Sequence, residues 1–151
     1  MKPTHSVYKN AEKLDFPNVL SLKVLLVGAQ TNGQLAVFED IVEPGVGAPR
    51  HIHHEQDETF FFLEGTFDVE IGGVLYHMNP GDMAFVPKGS IHAFKNVGKE
   101  KGILRYAFSP AQNIEEMFRS FYEASLRGEL SEEDMTKIAA KHGQEIVGPP
   151  I

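Results

Sequence analysis

The stretches GVGAPRHIHHEQDETFFFLEG, residues 45–65, and GDMAFVPKGSIHAFKN, residues 81–96, decide most of what this sequence predicts. Alternate side chains of a β-strand point to one face, so His51 and His53 should present two imidazoles side by side. Glu58 follows at an odd offset, but the polar run 54–57 lets the chain bend so that its carboxylate can rejoin them. His92 comes after two further turn signals and should lie on a strand across from the first. The sequence therefore predicts a site of three imidazoles and one carboxylate.

The chemistry of these side chains limits which cofactor they could hold. Imidazole and carboxylate ligands suit Mn, Fe, Co, Ni, Cu or Zn, and the chain has no Cys to favour softer sites. Four protein ligands on an ion that accepts five or six leave positions for water, dioxygen or a chelating substrate. We therefore expect one divalent transition metal in a catalytic site, with a closed structural site as the alternative.

Four other histidines are weaker candidates. His54 adjoins two predicted ligands, but strand alternation turns it to the opposite face. His5, His77 and His142 have no predicted partner and are expected at the surface or in the core.

Short apolar segments alternate with turn signals between about residues 19 and 108, a pattern typical of an all-β sandwich or barrel. The predicted strands are 19–29, 35–42, 59–63, 66–71, 74–78, 83–86, 91–96 and 102–108, besides the strand of His51 and His53. Gly72-Gly73 should form a tight hairpin between two of them. Helical periodicity is missing from this part of the chain.

The pattern becomes helical after residue 108. Ser109-Pro110 resembles a helix N-cap followed by a first-turn proline, and an apolar stripe runs from Ile114 to Leu126. Ser131 with Asp134 resembles a capping box that opens a second helix, which should stop at residue 143. We expect the helices, residues 110–143, to pack on the barrel as a structural appendage or as a lid over its mouth.

Length and charge restrict the class of protein further. A chain of 151 residues fits one domain, and a net charge of −7 argues against nucleic acid as a partner. No apolar stretch is long enough to span a membrane, and the first residues lack the apolar core of a secretory signal. We therefore expect a cytoplasmic protein with a small-molecule substrate or ligand and no membrane or nucleic-acid partner.

The two stretches resemble, position for position, the two signature motifs of the cupin superfamily. The matching residues are Gly45, His51, His53, Glu58 and Gly65, and then Gly81, Pro87, Gly89, His92 and Asn96. The single-domain form with a helical C-terminal region is similar to small microbial cupins grouped with quercetin dioxygenases. This resemblance implies a mainly β double-stranded β-helix, or jelly roll, with residues 1–151 forming one domain whose barrel spans about 19–108. It also implies one divalent metal bound by His51, His53, Glu58 and His92.

Three functions are compatible with these residues. The first is a metal-dependent dioxygenase for a small aromatic or dicarbonyl compound, with Glu58 as ligand and base and Phe60, Phe62 and Phe94 lining the substrate pocket. The second is a decarboxylase, lyase or isomerase, in which an inward Arg105 binds a substrate carboxylate. The alternative for Arg105, and the commoner position for an arginine, is the protein surface. The third is a non-enzymatic binding module, whereas a DNA-binding regulator is disfavoured because residues 110–151 are net negative.

The run from Phe60 to Leu63 is apolar on both faces of its strand, unlike a half-solvated strand. Phe60 and Phe62 should face inward, and Phe61 and Leu63 should face outward. Either the C-terminal segment or a second subunit must cover the outward pair, and we expect a homodimer.

Overall fold

The computed structural model describes residues 5, 7, 9–128 and 130–151. The described chain forms the strands β1 (Glu12–Phe16), β2 (Leu20–Leu26), β3 (Ala36–Val42), β4 (Arg50–His53), β5 (Asp57–Glu64), β6 (Phe67–Ile71), β7 (Val74–Met78), β8 (Met83–Val86), β9 (His92–Asn96), β10 (Gly102–Ser109) and β11 (Gln144–Gly148). The helices are α1 (Glu115–Leu126) and α2 (Glu132–Ala140).

These strands form two antiparallel sheets. One has six strands in the order β1-β2-β3-β10-β5-β8, and the other has five in the order β11-β4-β9-β6-β7. Consecutive strands therefore often lie in opposite sheets, and the chain crosses between the sheets repeatedly. The predicted mainly β architecture with C-terminal helices is confirmed.

Alternation along the strands places the hydrophobic core between the sheets. In β3, Ala36, Phe38, Asp40 and Val42 are buried, whereas the three residues between them are only half-buried. The same period of two fills the interior from β5, β9 and β10 with aromatic side chains. The barrel interior is thus an aromatic core, which Asp40 interrupts with a carboxyl group.

The predicted hairpin at Gly72-Gly73 is present between β6 and β7. Ile71 pairs directly with Val74, and the two glycines have φ angles of 58° and 82°. Two consecutive positive φ angles are what a two-residue turn between antiparallel strands requires, and glycine adopts them without steric cost.

The predicted start of the first helix is wrong. Ser109 is still part of β10, where it pairs with Asp57 of β5, and α1 begins at Glu115 after an Ile114 cap that makes no side-chain hydrogen bond. Pairing to β5 therefore keeps Ser109 extended. The second predicted cap is present, because the backbone N–H of Asp134 donates to Ser131 Oγ over 3.0 Å.

Helix α1 packs its apolar stripe into one end of the barrel. The ring of Phe118 lies 4.9 Å from that of Phe38, 6.2 Å from Tyr106 and 6.3 Å from Phe108, measured between centroids. These three partners are inward-facing residues of β3 and β10, so Phe118 extends the aromatic core outward into the helix.

Strands β1 and β11 lie outside the predicted barrel limits of 19–108. The short segment that forms β11 comes after both helices and pairs with β4, placing Gln144 opposite His53 and Ile146 opposite His51. This segment is a strand because it pairs with the outer edge of β4. That pairing partner is distant in sequence, so the local sequence of the segment does not reveal the strand.

No helix in the described part of the chain has the length and apolar character needed to cross a lipid bilayer.

Candidate metal centre

The two sheets deliver the four predicted ligands from opposite sides. His51 of β4 is the direct cross-strand partner of His92 of β9 in the five-stranded sheet. The chain then crosses to the six-stranded sheet over residues 54–56, and Glu58 follows in β5. This crossing resolves the odd offset between His53 and Glu58, because the carboxylate approaches the imidazoles from the facing sheet.

Glu58 lies at the centre of the cluster. Its Oε2 is 2.8 Å from His53 Nε2 and 2.9 Å from His92 Nε2. One donor atom from each of the four residues, His51 included, lies within 4.8 Å of the others. Glu58, His53 and His92 are buried, while His51 is half-buried and forms the more open side of the cluster.

Backbone carbonyls orient two of the imidazoles. His51 Nδ1 lies 2.7 Å from the carbonyl oxygen of Pro49, and His92 Nδ1 lies 3.0 Å from that of Ser90. An Nδ1–H that donates to a carbonyl leaves Nε2 with a free lone pair, the tautomer a metal-binding histidine needs. The local backbone therefore prepares His51 and His92 to bind through Nε2.

His53 provides the observation that best tests whether the cluster fits a metal. Both its ring nitrogens are buried and lack a hydrogen-bond partner, since its close approach to Glu58 is not aligned as a hydrogen bond. A buried polar atom without a partner costs free energy, and an ion between His53 and Glu58 would satisfy it. The donor set of three imidazoles and one carboxylate fits a divalent transition metal.

The protonation states also suit a cation. Burial lowers the pKa of His51 to about 3, with His92 and His53 adding to the effect. Burial likewise lowers the pKa of His53. Burial would raise the pKa of Glu58, but the neighbouring His53 and His92 outweigh it and hold that pKa well below its usual range. The cluster therefore offers neutral imidazoles at His51 and His53 and one ionised carboxylate at neutral pH.

The three predicted pocket phenylalanines all face inward. Phe60, Phe62 and Phe94 are buried, whereas Phe61 and Leu63 are 40% and 43% exposed. The ring of Phe60 is 6.1 Å from His92 and 6.0 Å from Phe94, so it adjoins the cluster. Phe62 lies one layer deeper, two residues further along β5. Phe60 therefore lies closer to the cluster than Phe62 does.

The predicted inward position of Arg105 is wrong. In β10 the inward residues are Leu104, Tyr106 and Phe108, so the guanidinium lies on the outer face, with 46% of its side chain exposed. There its Nη2 forms an ion pair with Glu39 Oε1 at 2.7 Å. Alternation in β10 has the opposite phase from the one that would bring Arg105 into the site.

The weaker histidine candidates lie away from the cluster. His54 is exposed and pairs with Glu145 at 2.9 Å, consistent with the predicted orientation. His77 is exposed and has a partner that was not predicted, Asp68 at 2.8 Å. His5 is exposed and His142 is half-buried.

A buried polar pair of the barrel interior, Asp40 and Tyr106, was not among the predicted site residues. Asp40 is 3% exposed, and its carboxyl accepts a hydrogen bond from the Tyr106 hydroxyl over 3.0 Å. Burial raises the pKa of Asp40 from 3.8 to about 8, partly offset by the Tyr106 hydrogen bond, and the charge of Glu58 adds to the rise. The sequence contains a signal for this buried carboxyl, because Asp40 occupies the same alternating set of positions in its strand as the apolar Phe38 and Val42.

A second buried polar pair attaches β11 beside the site. Gln144 Nε2 donates to Gln56 Oε1 over 2.9 Å, and Gln56 Nε2 donates to the carbonyls of Pro110 and Ala111, both at 2.9 Å. Gln56 lies in the crossing between the two sheets that leads to Glu58. These bonds therefore fix the crossing, the end of β10 and β11 together.

Comparisons with known proteins agree with this architecture. Residues 38–106 match the cupin domain family. An uncharacterized protein of Aquifex aeolicus is 35% identical over 69 residues, which cover 46% of this chain and 56% of that protein. Quercetin 2,3-dioxygenase of Bacillus subtilis is 33% identical over 72 residues, covering 46% of this chain and 21% of the enzyme. The chain thus spans about half or less of the length of these curated relatives.

Solved structures extend the similarity to most of the barrel. KdgF from Halomonas sp. aligns with a TM-score of 0.64 at 21% identity, covering 71% of this chain and 94% of that one. An RmlC-like cupin from Shewanella frigidimarina aligns with a TM-score of 0.59 at 28% identity, covering 71% and 90%. Two facing antiparallel sheets, a His-His-Glu-His cluster between them and these matches together show that the chain contains a cupin domain over residues 38–106.

Proposed function

We propose that this protein is a metal-dependent dioxygenase that acts on a small aromatic or dicarbonyl compound. The observation that carries the metal requirement is the buried cluster, whose four donor atoms lie within 4.8 Å of one another and whose His53 nitrogens lack other partners. Such a site can perform several chemistries. The similarity to quercetin 2,3-dioxygenase over 72 residues supports oxygenation over decarboxylation or isomerisation.

The residues of the chain have distinct tasks in this proposal. His51, His53, Glu58 and His92 would hold the ion, which when bound supplies a Lewis acid and open coordination positions. Glu58 would also accept a proton from an acidic substrate hydroxyl, since its carboxylate is ionised in the buried cluster. Phe60 and Phe94 would pack against a flat substrate and keep water away from it.

The first test is the metal content of the purified protein, measured by plasma mass spectrometry. We expect about one equivalent of a transition metal in the wild type and less than roughly a tenth of that in a His51→Ala/His53→Ala double variant, which loses half of the ligands. His54→Ala is the matched control, because His54 adjoins the site in sequence but pairs with Glu145 at the surface. Oxygen consumption with ortho-dihydroxy aromatic and diketone compounds then tests the reaction.

The outcomes separate the candidate functions. A metal-loaded wild type that consumes oxygen with none of these compounds, yet isomerises or decarboxylates a substrate, would replace the oxygenase with Lewis-acid chemistry. A wild type that cannot be loaded with Fe, Mn, Ni, Co, Cu or Zn would contradict both enzymatic functions and favour a binding module.

We also propose that the protein is a homodimer. The C-terminal helices leave Phe61 and Leu63 exposed, and the neighbouring β8 adds Met83 and Phe85, each 55% exposed, on the same outer face. Monomeric proteins rarely expose contiguous apolar patches larger than a few hundred Å². A second copy of the chain would bury this patch in a self-complementary interface.

A further inference from the structure

A surface groove beside the start of β4 has no role in the function proposed so far. It has a volume of about 350 Å³ and is bounded by α2, β11 and the last residues of the chain. Most of its wall is apolar, formed by Pro49, Met135, Ile146, Pro149 and Pro150. Its size is at the lower end of that of small-molecule sites in proteins.

The register of β11 places this groove on the ligand side of the five-stranded sheet. Ile146, which lines the groove, is the direct cross-strand neighbour of His51, and opposed residues of an antiparallel pair point to one face. Pro49 also lines the groove, and its carbonyl oxygen lies 2.7 Å from His51 Nδ1. None of the four ligands lines the groove itself, but Pro49 and Ile146 make it the neighbour of His51, the ligand that is only half-buried.

The wall that the tail contributes is fixed in place. Arg50 donates to the carbonyls of Pro149 and Pro150 over 2.9 and 3.2 Å, and its guanidinium is paired with Glu70 at 2.7 and 3.1 Å. The tail is thus attached to β4 by two hydrogen bonds from Arg50, whose guanidinium is itself held in place by a bidentate ion pair with Glu70 of β6. The groove is a built feature of the fold.

The charge around the groove indicates which ligands it would accept. Glu132 lines it, and Glu133 and Asp134 follow in the first turn of α2, whereas no Lys or Arg is among its lining residues. A phosphate or carboxylate would be repelled there, while a neutral apolar ring would bury its surface against Met135 and Ile146. The groove thus suits a neutral, flat, apolar group.

We propose that this groove binds the apolar ring of the substrate, whose oxygen-bearing end reaches the metal centre past Pro49. The ring would lie between α2 and β11, and the oxygen atoms would enter the cluster from the side of His51. The part of this inference that concerns the metal rests on the proposed function, whereas binding of the ring to the groove does not.

Binding of 2-naphthol to the metal-free His51→Ala/His53→Ala variant tests the groove alone. The probe is neutral and does not chelate, and its site is mapped by the shifts of the Thr136 and Ile146 amides in ¹H–¹⁵N NMR spectra. We expect saturable shifts at both amides and their loss in a variant that also carries Met135→Trp, which fills the groove. Leu126→Trp is the matched control, since Leu126 is 68% exposed on α1 and does not line the groove. Absence of shifts at these amides would overturn the proposal.

A pair of chelating ligands tests the connection between groove and metal. Naphthalene-2,3-diol and catechol share the same two hydroxyls, but only the first has a second ring for the groove. On the zinc-loaded wild type we expect the diol to bind about tenfold tighter by calorimetry, with the difference abolished by Met135→Trp. An equal preference in wild type and variant would sink the link to the metal, even if 2-naphthol occupies the groove. Failure of zinc to load would instead count against the proposed function.

Discussion

Asp40 and Glu58 are both carboxyl groups buried between the two sheets, yet their pKa values move in opposite directions. Among the described residues Asp40 has a single hydrogen-bond partner, the Tyr106 hydroxyl, so the cost of burying its charge dominates and raises its pKa to about 8. Glu58 lies among imidazoles that favour its charged form, and its pKa is lowered. Surroundings rather than depth therefore decide which of the two carboxyls is ionised at neutral pH.

Asp40 should make the stability of the protein depend on pH. Between about pH 4 and pH 8 the native state keeps a proton on Asp40 that the unfolded chain has released, so the free energy of unfolding falls as the pH rises. Asp40→Asn removes this titration. Relative to the wild type, the variant should gain on the order of 3 kcal/mol between pH 5 and pH 8, measured by urea denaturation.

Glu39→Gln provides the control for this comparison. Glu39 precedes Asp40 in β3 but faces outward, where it pairs with Arg105. Because Glu39→Gln leaves the buried Asp40 carboxyl in place, the variant should keep the fall in stability with rising pH that the wild type shows. If the difference between Asp40→Asn and the wild type does not change with pH, Asp40 is ionised in the native protein and our account of its burial is wrong.

Helix α1 belongs to the core as much as to the surface. Its Phe118 ring contacts inward residues of both β3 and β10, whereas Leu126 at the other end of the same stripe is 68% exposed. The positions of the predicted apolar stripe therefore differ greatly in burial, and so in their expected contribution to stability. Because the Phe118 ring packs against the aromatic core, α1 closes this end of the barrel.

Truncation of Phe118 measures how much the packing of α1 against the barrel stabilises the fold. We expect Phe118→Ala to lower the free energy of unfolding by about 3 kcal/mol, since a large ring would leave a cavity among other rings. Leu126→Ala should change it by less than about 0.5 kcal/mol, because its side chain is largely solvated. Equal effects of the two substitutions in urea denaturation would show that Phe118 does not fill the barrel end.

The outer face of the six-stranded sheet carries an apolar surface that the helices leave uncovered. Phe61 and Leu63 of β5 lie beside Met83 and Phe85 of β8, and β8 is an edge strand. The ion pair between Arg105 and Glu39 lies on the same face. This arrangement of an apolar area beside a charged pair is typical of a protein–protein interface.

The proposed homodimer predicts the mass of the protein in solution. Light scattering should give twice the chain mass for the wild type, and Phe61→Lys should give the monomer mass, because an unpaired ammonium in the interface is costly. Leu126→Lys on α1 should leave the dimer intact. A wild type that stays monomeric at all concentrations would disprove the proposal.

Much of the fold could be predicted because its signals are local. The turn signals at Gly72-Gly73 and at residues 79–81 place β7 and β8 within one or two residues of their observed bounds. Predictions failed where a distant partner decides the conformation. Ser109 is extended because it pairs with Asp57, and residues 144–148 form a strand because β4 has a free edge.

The sequence by itself determined the identity of the candidate ligands, since the spacings of His51, His53, Glu58 and His92 satisfy strand geometry together. It also determined that Phe60 and Phe62 face inward, because they share the phase of Glu58. Only the tertiary structure decided that Arg105 faces outward, that Asp40 is a buried neutral carboxyl at neutral pH, and that the tail forms a groove beside His51. The physical reason is that phase, burial and register depend on which strands face each other, and that pairing joins residues far apart in the chain.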